Sequence, residues 1–238
     1  CAVQAGTLAG SRFILMYKWD TVDALKLIEA EGVNTISAVP MMTRELLMHP
    51  DFADYDTSSL ACMGGGGAAM QPDLARKVDQ VTQKARPAQG YGMTEVCGII
   101  SYIAGDVFLD RPESCGALAP TFDGKVVDGE GCVLQPGEIG EVCVKGAAVI
   151  KGYLNRPEAT AETIVDGWLH TGDIGYFDED GFLYLVDRAK DMILRGGEYI
   201  YGAEVEFAVF DHPAVLECVA FAVPDERLGE EVGVAIHL

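Results

Sequence analysis

Positive charge is scarce in this chain. Its 238 residues hold 17 Lys and Arg against 37 Asp and Glu, a formal net charge of −20 with a pI near 4.4. A phosphate-backbone binder needs clustered basic residues, so nucleic acid is excluded as the expected partner. An anionic membrane surface is disfavoured for the same reason. Long apolar runs are also absent. The stretch Phe13–Tyr17 is far too short to span a bilayer, so no transmembrane segment is expected. No basic, apolar, small-residue leader pattern is present, and a cytoplasmic protein is expected. Cysteine pairs are lacking too. The seven cysteines, at 1, 62, 97, 115, 132, 143 and 218, are odd in number and form no CxxC. That argues against a disulfide framework or a zinc site and for idle thiols in a reducing cytosol.

What the chain does have is apolar bulk. Hydrophobic residues make up 49% and charged residues 23%, enough for a real core and not the composition of a disordered chain. Residues 22–31 place Val22, Leu25 and Ile28 at helical spacing. The β-branched stretch VNTISAV reads as a strand, and MMTRELLM after Pro40 as a second helix. Leu60–Met63 reads as a buried strand running into Gly64–Gly67, and Pro72 opens an amphipathic helix to about Ala85. Alternating strands and helices predict an α/β part with a parallel sheet over 1–112.

From Gly116 to Gly152 the helical period disappears, and short strands such as Ile139–Lys145 sit between turn signals. One short helix is expected near 158–165. Trp168 to Arg188 reads as strand, DEDG turn, strand. A small β-barrel-like part over 113–187 is expected. After Arg188, a helix at 203–210 and strands at Val215–Val223 and VGVAIHL predict the start of an α+β part over 188–238.

Four motifs carry candidate chemistry, and each also has a plain structural reading. In QGYGMTE, glycines flank Tyr91 and let backbone approach a ligand, Thr94 offers a hydroxyl, and Glu95 a hard carboxylate suited to Mg²⁺. The same letters also suit an ordinary turn. Gly64–Ala69 follows a strand and precedes a helix, a common nucleotide setting, but it lacks the P-loop Lys-Ser/Thr and equally suits a tight turn. HTGDIG places Asp173 between glycines, where a carboxylate can accept two hydrogen bonds from a diol; an Asp-Gly turn residue is the alternative. His170 in that motif is assigned no catalytic role. In DRAKDMILRGGEYI, Arg188 offers forked donors to a ribose, although a solvated charged linker reads the same way.

The order and spacing of these motifs together resemble the adenylate-forming superfamily, the acyl-CoA synthetases in particular. MGGGGAAM is similar to its adenine loop, and YGMTE to its Tyr-Gly-x-Thr-Glu motif. GEVCVKGAAVIKGYLNRPEAT resembles its glycine-flanked β segment, DGWLHTGDIGYFDEDGFLYLVDR its Asp motif, and DRAKDMILRGGEYI its hinge. The resemblance runs from about Asp20 to Leu238. It implies ATP-dependent joining of a carboxylic acid, a fatty or other apolar acid, to AMP with release of pyrophosphate, then thioester formation with CoA. It implies Gly67 and Ala68 beside the adenine and Tyr91 against its face. It also implies Thr94 on the α-phosphate, Glu95 on Mg²⁺, and Asp173 on the ribose hydroxyls with Arg188 beside it. Lys190 falls at the hinge, Gly197 at the pantetheine tunnel, and Gly90 and Gly92 beside the acyl pocket. An amino-acid adenylation module or an acyl-carrier-protein ligase fits the same motifs with another acceptor, and a non-catalytic nucleotide-binding remnant is the alternative of another class.

The chain departs from the family in ways that shape the expectation. Residues 1–238 hold no counterpart of the family's phosphate loop ending in Lys, or of its C-terminal lysine, and neither Lys84 nor Lys151 replaces them. Tyr199 and Gly202 stand where the family has Asn and Pro after its hinge glycines. An internal piece of a longer ligase is therefore expected, inactive by itself and prone to self-association.

Overall fold

A computed structural model describes residues 6–82, 84–188, 191–196, 198–210, 212, 214–225 and 227–237. The chain divides into two compact units, Cys1–Phe122 with Gly146–Lys151, and Asp123–Lys145 with Gly152–Leu238.

The first unit is α/β. Helix α1, Thr21–Glu31, starts where the Asp20 side chain accepts the Asp23 N–H and stops where Gly32 turns left-handed at φ 59°. It buries Ala24, Leu25 and Ile28, the stripe the 3.6-residue spacing predicts. Strand β1 is Thr35–Ser37, and Pro40 at the first turn opens α2, Pro40–Met48. Strand β2 is Cys62–Gly65, so the buried strand runs on into the first two of the four glycines. Helix α3, Pro72–Val81, buries Leu74, Ala75 and Val78. It ends short of the expected Ala85. The Thr82 hydroxyl lies 2.7 Å from the Val78 carbonyl, and its backbone is already extended. A side chain that binds the carbonyl four residues back competes with the helix ladder.

Strand β3, Arg86–Met93, carries most of QGYGMTE. After a 3₁₀ turn, Thr94–Val96, the chain returns as β4, Gly98–Ala104, followed by a short helix α4, Gly105–Asp110, and β5, Gly116–Leu118. The order is β1-β2-β3-β4-β5. Strands β1, β2 and β3 run parallel, as the alternation predicts, and β3–β4 and β4–β5 are antiparallel. The core lies among Leu25, Leu46, Met63, Leu74, Ile100 and Phe108.

The second unit is mostly β. It contains, but for the end residues Phe122 and Gly146, β6, Phe122–Val127, and β7, Gly140–Gly146; then a short α5, Pro157–Thr163; β8, Ile164–Val165; β9, Trp168–Phe177; and β10, Phe182–Arg188. The order is β10-β9-β7-β6, with β8 on β9. The DEDG turn closes the β9–β10 hairpin as the sequence predicts, with the Asp178 carboxylate accepting the N–H groups of Asp180 and Phe182. A separate four-stranded antiparallel sheet follows, ordered β12-β11-β14-β13. Its strands are β11, Ile193–Arg195; β12, Glu198–Ile200; β13, Glu217–Asp225; and β14, Gly229–His237. Helix α6, Gly202–Phe210, packs on β13. Among the described residues no helix is long and apolar enough to cross a membrane.

Candidate functional site

In the first unit the site candidates are placed by close backbone approach. Parallel pairing of β2 with β3 sets Gly64 beside Ala88 and Gly65 beside Gln89. A Cβ on Gly64 would fall into the Ala88 carbonyl, and one on Gly65 into the Ala38 carbonyl. A Cβ on Gly66 would meet the Gly90 carbonyl at 2.6 Å. The glycine run is therefore required by strand spacing, and its continuation past β2 lies beside Gly90. Gly67 turns at φ +89°, and Gly67 and Ala68 are exposed. The loop is anchored at its end by a residue the motif reading passes over. Buried Gln89 accepts the Met70 N–H through its Oε1 at 2.5 Å.

On β3 the register with β4 shifts between Tyr91 and Gly92, a bulge that breaks the strand's alternation. The 3₁₀ turn follows at once. Thr94 is exposed and Glu95 half-buried, and the Glu95 carbonyl accepts the Ile150 N–H at 2.8 Å, which fixes the turn. Gly92, Met93, Thr94, Cys97 and Gly98 line an open groove of about 470 Å³. Cys97 takes φ +57° at the end of the turn. The structure thus gathers Gly67, Ala68, Gly90, Tyr91, Gly92, Thr94 and Glu95 along one pair of strand ends. Of these, Gly92 and Thr94 line the groove. Glu95 and Thr94 offer hard oxygen donors, the chemistry Mg²⁺ takes alongside phosphate oxygens.

In the second unit side chains, not backbone contacts, shape the candidate. Opposite β7, residues 171–173 of β9 face the single residue Val142, since Glu141 pairs with Ile174 and Cys143 with His170. The surplus residues form a turn with Gly172 at φ +71°. The Thr171 hydroxyl donates to the Val142 carbonyl at 2.7 Å and accepts the Asp173 N–H at 3.1 Å. Asp173 is 7% exposed, and its Oδ1 stands 3.2 Å from Nε of Arg188, its register partner on β10. The expected Asp173–Arg188 proximity is therefore present, and Arg188 reaches outward with 63% of its side chain exposed.

His170, assigned no role from the sequence, has close partners on β7. Its Nδ1 lies 2.7 Å from Oε2 of Glu141 and 3.5 Å from Sγ of Cys143. Glu141 Oε1 accepts the Gly172 N–H at 3.1 Å. Burial, and then the nearby Glu141 carboxylate, push the Cys143 thiol up to about 12, so it stays protonated at neutral pH. These partners lie 27 to 31 residues apart in sequence, and no local pattern marks them. Lys190 and Gly197, expected at the hinge and the tunnel, lie outside the described residues.

The model of the AMP-binding enzyme family matches residues 1–154. The chain is 39% identical over 226 residues to a long-chain-fatty-acid–CoA ligase of Bacillus subtilis, covering 94% of this chain and 40% of the relative. It is similar to the o-succinylbenzoate CoA synthetase of Bacillus subtilis solved with ATP and magnesium ion. There the TM-score is 0.88 and the identity 33%, over 99% of this chain and 48% of that one. It is also similar to the amide bond synthetase McbA of Marinactinospora thermotolerans, with a TM-score of 0.85 and 31% identity over 93% of this chain and 45% of that one. The chain thus spans less than half the length of each of these proteins.

Proposed function

Because the chain belongs to the AMP-binding enzyme family of adenylate-forming ligases, we propose that it carries nucleotide-binding and acid-binding groups of a cytoplasmic acid–thiol ligase that activates an apolar carboxylic acid, a fatty acid in our reading. In the first half-reaction a carboxylate oxygen attacks the α-phosphorus of ATP, the α–β bridging bond breaks, and pyrophosphate leaves. In the second, the CoA thiol gives up its proton and attacks the acyl carbon, and AMP leaves. The organisation proposed is 1–112 and 113–187 for the nucleotide and acid, and 188–238 for a part that moves at Lys190 between half-reactions.

Catalysis of this kind is mostly positioning and charge neutralisation. Gly67 and Ala68 leave room for the adenine, and Tyr91 packs on its face. The Thr94 hydroxyl donates to the α-phosphate. Glu95 holds Mg²⁺, which when bound offsets the negative charge of the phosphates. Asp173 accepts both ribose hydroxyls, with Arg188 beside it. Gly90 and Gly92 border the acyl chain, Gly92 through its backbone at the groove, and Gly197 borders the pantetheine arm. The observation that carries the reading is the paired strand end. Glycines that tolerate no Cβ bring the end of β2 against Ala88–Gly90 of β3, the strand that leads directly into Tyr91, Thr94 and Glu95 and a groove lined by Thr94.

Binding of ATP with Mg²⁺, followed calorimetrically, tests the assignment. Asp173→Ala removes two charge-assisted bonds worth together roughly 3 kcal/mol, so affinity should fall on the order of a hundredfold. Glu95→Gln keeps the shape, and the Mg²⁺-dependent part of the affinity should disappear. Two folded variants that bind ATP·Mg²⁺ as the unchanged protein does would overturn the proposal. Pyrophosphate exchange by the full-length ligase that contains this chain, across fatty, aryl and amino acids, then identifies the acid, and exchange with an amino acid alone would overturn the fatty-acid reading.

A further inference from the structure

We infer that Glu141 and His170 form a clamp that fixes the 171–173 turn and so sets where the Asp173 carboxylate is presented; both are positioning residues for nucleotide binding. This rests on the ribose reading of Asp173 proposed above.

The turn needs such a clamp. Three residues of β9 stand against one residue of β7, so residues 171–173 leave the regular ladder. Gly172, at φ +71° with no atom within 4 Å of where a Cβ would stand, has neither a side chain nor packing to hold it. What holds it is polar. One Glu141 oxygen accepts the Gly172 N–H at 3.1 Å, and the other lies 2.7 Å from His170 Nδ1. An ionised carboxylate is acceptor-only, so the Nδ1 proton is assigned to the histidine and donated to Glu141. Thr171 adds the inner strut, donating to Val142 and accepting the Asp173 N–H. Glu141 thus grips the turn on both sides of Thr171, directly at Gly172 and through the ring at His170. Asp173 is the next residue along.

Glu141, Cys143 and His170 could also be read as a metal-ligand set, since their donor atoms lie within 4.8 Å of one another. The geometry favours the clamp. Ligand atoms held about 2.0–2.2 Å from one zinc ion stand roughly 3.3 Å apart, whereas the Glu141–His170 separation is a hydrogen-bond length of 2.7 Å. The second Glu141 oxygen is already engaged by Gly172. Cys143 supplies a neutral, fully buried thiol 3.5 Å from Nδ1.

The readout must move with Asp173 presentation and not with stability alone. That quantity is the ratio of dissociation constants for 2′,3′-dideoxy-ATP and ATP, each measured with Mg²⁺, beside thermal unfolding of every variant. Asp173→Ala should bring the ratio close to unity. Glu141→Ala and His170→Leu should each reduce it by about tenfold, the scale expected when a binding group loses its support. His170→Asn should restore most of it, because the amide N–H stands about where Nδ1–H stood. Should Glu141→Ala fail to fold, the His170 pair carries the test. If Asp173→Ala collapses the ratio while His170→Leu and Glu141→Ala leave it intact, the clamp is wrong and the ribose reading stands. His170→Asn behaving like His170→Leu would likewise overturn the donor role. If Asp173→Ala itself keeps the ratio, the ribose reading falls and the clamp falls with it. One equivalent of Zn²⁺ taken up by the unchanged protein and lost in Cys143→Ala would also overturn the clamp in favour of a metal site.

Discussion

The two units prepare their candidate binding groups in opposite ways. In the first, the polypeptide backbone does most of the shaping. Gly64, Gly65, Gly66 and Gly92 sit where a neighbouring carbonyl fills the space of a Cβ, and the open strand ends follow from that spacing. In the second, the turn around Gly172 has empty space on its side-chain face and is held by Glu141, His170 and Thr171. Glycine thus means two different things in one chain. It answers a steric demand at β2 and β3 and a dihedral demand on β9. Both units also anchor a turn through a buried or half-buried polar side chain, Gln89 to Met70 in the first and Glu141 to Gly172 in the second.

The largest expected effect separates these meanings. In Gly92→Ala the new Cβ would run into the Gly98 carbonyl, a backbone atom held by the β3–β4 ladder. Overpacking of this kind should cost about 3 kcal/mol, lowering the melting temperature by roughly 6–12 °C. Gly172→Ala meets no atom, and its cost is only that of holding a left-handed dihedral, about 1 kcal/mol. Urea unfolding of the two variants side by side checks the ranking. A Gly172→Ala chain less stable than Gly92→Ala would break the distinction between the two units.

The same contrast explains what the sequence reveals. Helix α1, the Pro72 start of α3 and the β9–β10 hairpin are local patterns of apolar spacing, caps and turn residues, and they are legible. The glycine clusters point to the first unit's candidates because a steric demand leaves its mark in the residue itself. Strand β4 and helix α4 are not anticipated. GIISYIA is a short apolar run whose state depends on pairing with β3, and tertiary pairing leaves no period to read. The Glu141–His170 pair is invisible for a related reason. It is set by the register of β7 on β9, and a one-residue slip would place other side chains opposite each other. His170 consequently looks isolated, and Cys143 looks like any other idle thiol.

The smallest expected effect sharpens the second half of the comparison, because it asks how dry the clamp's surroundings are. Cys143 is fully buried, and burial is the first cause of its raised value, followed by the Glu141 carboxylate, with Lys125 acting weakly in the opposite direction. The folded chain therefore holds this proton more tightly than the unfolded one. A raised value makes its contribution fully present below the ordinary thiol value of 9.0, and that contribution is lost as pH rises from there towards about 12. Cys143→Ala loses some packing at every pH but none of this alkaline penalty. The stability gap between the unchanged chain and Cys143→Ala should then narrow by on the order of 1 kcal/mol between about pH 8 and about pH 10.5, after allowance for solvent screening. Exposed Cys97 and Cys132 give an internal control, since they should react with a thiol reagent at about pH 8 well before Cys143 does. A gap that stays constant with pH, or a Cys143 that reacts as fast as Cys97, would show water reaching the β7–β9 interior. The second unit's turn would then lack a dry β7–β9 interior beneath its partly exposed Glu141–His170 pair.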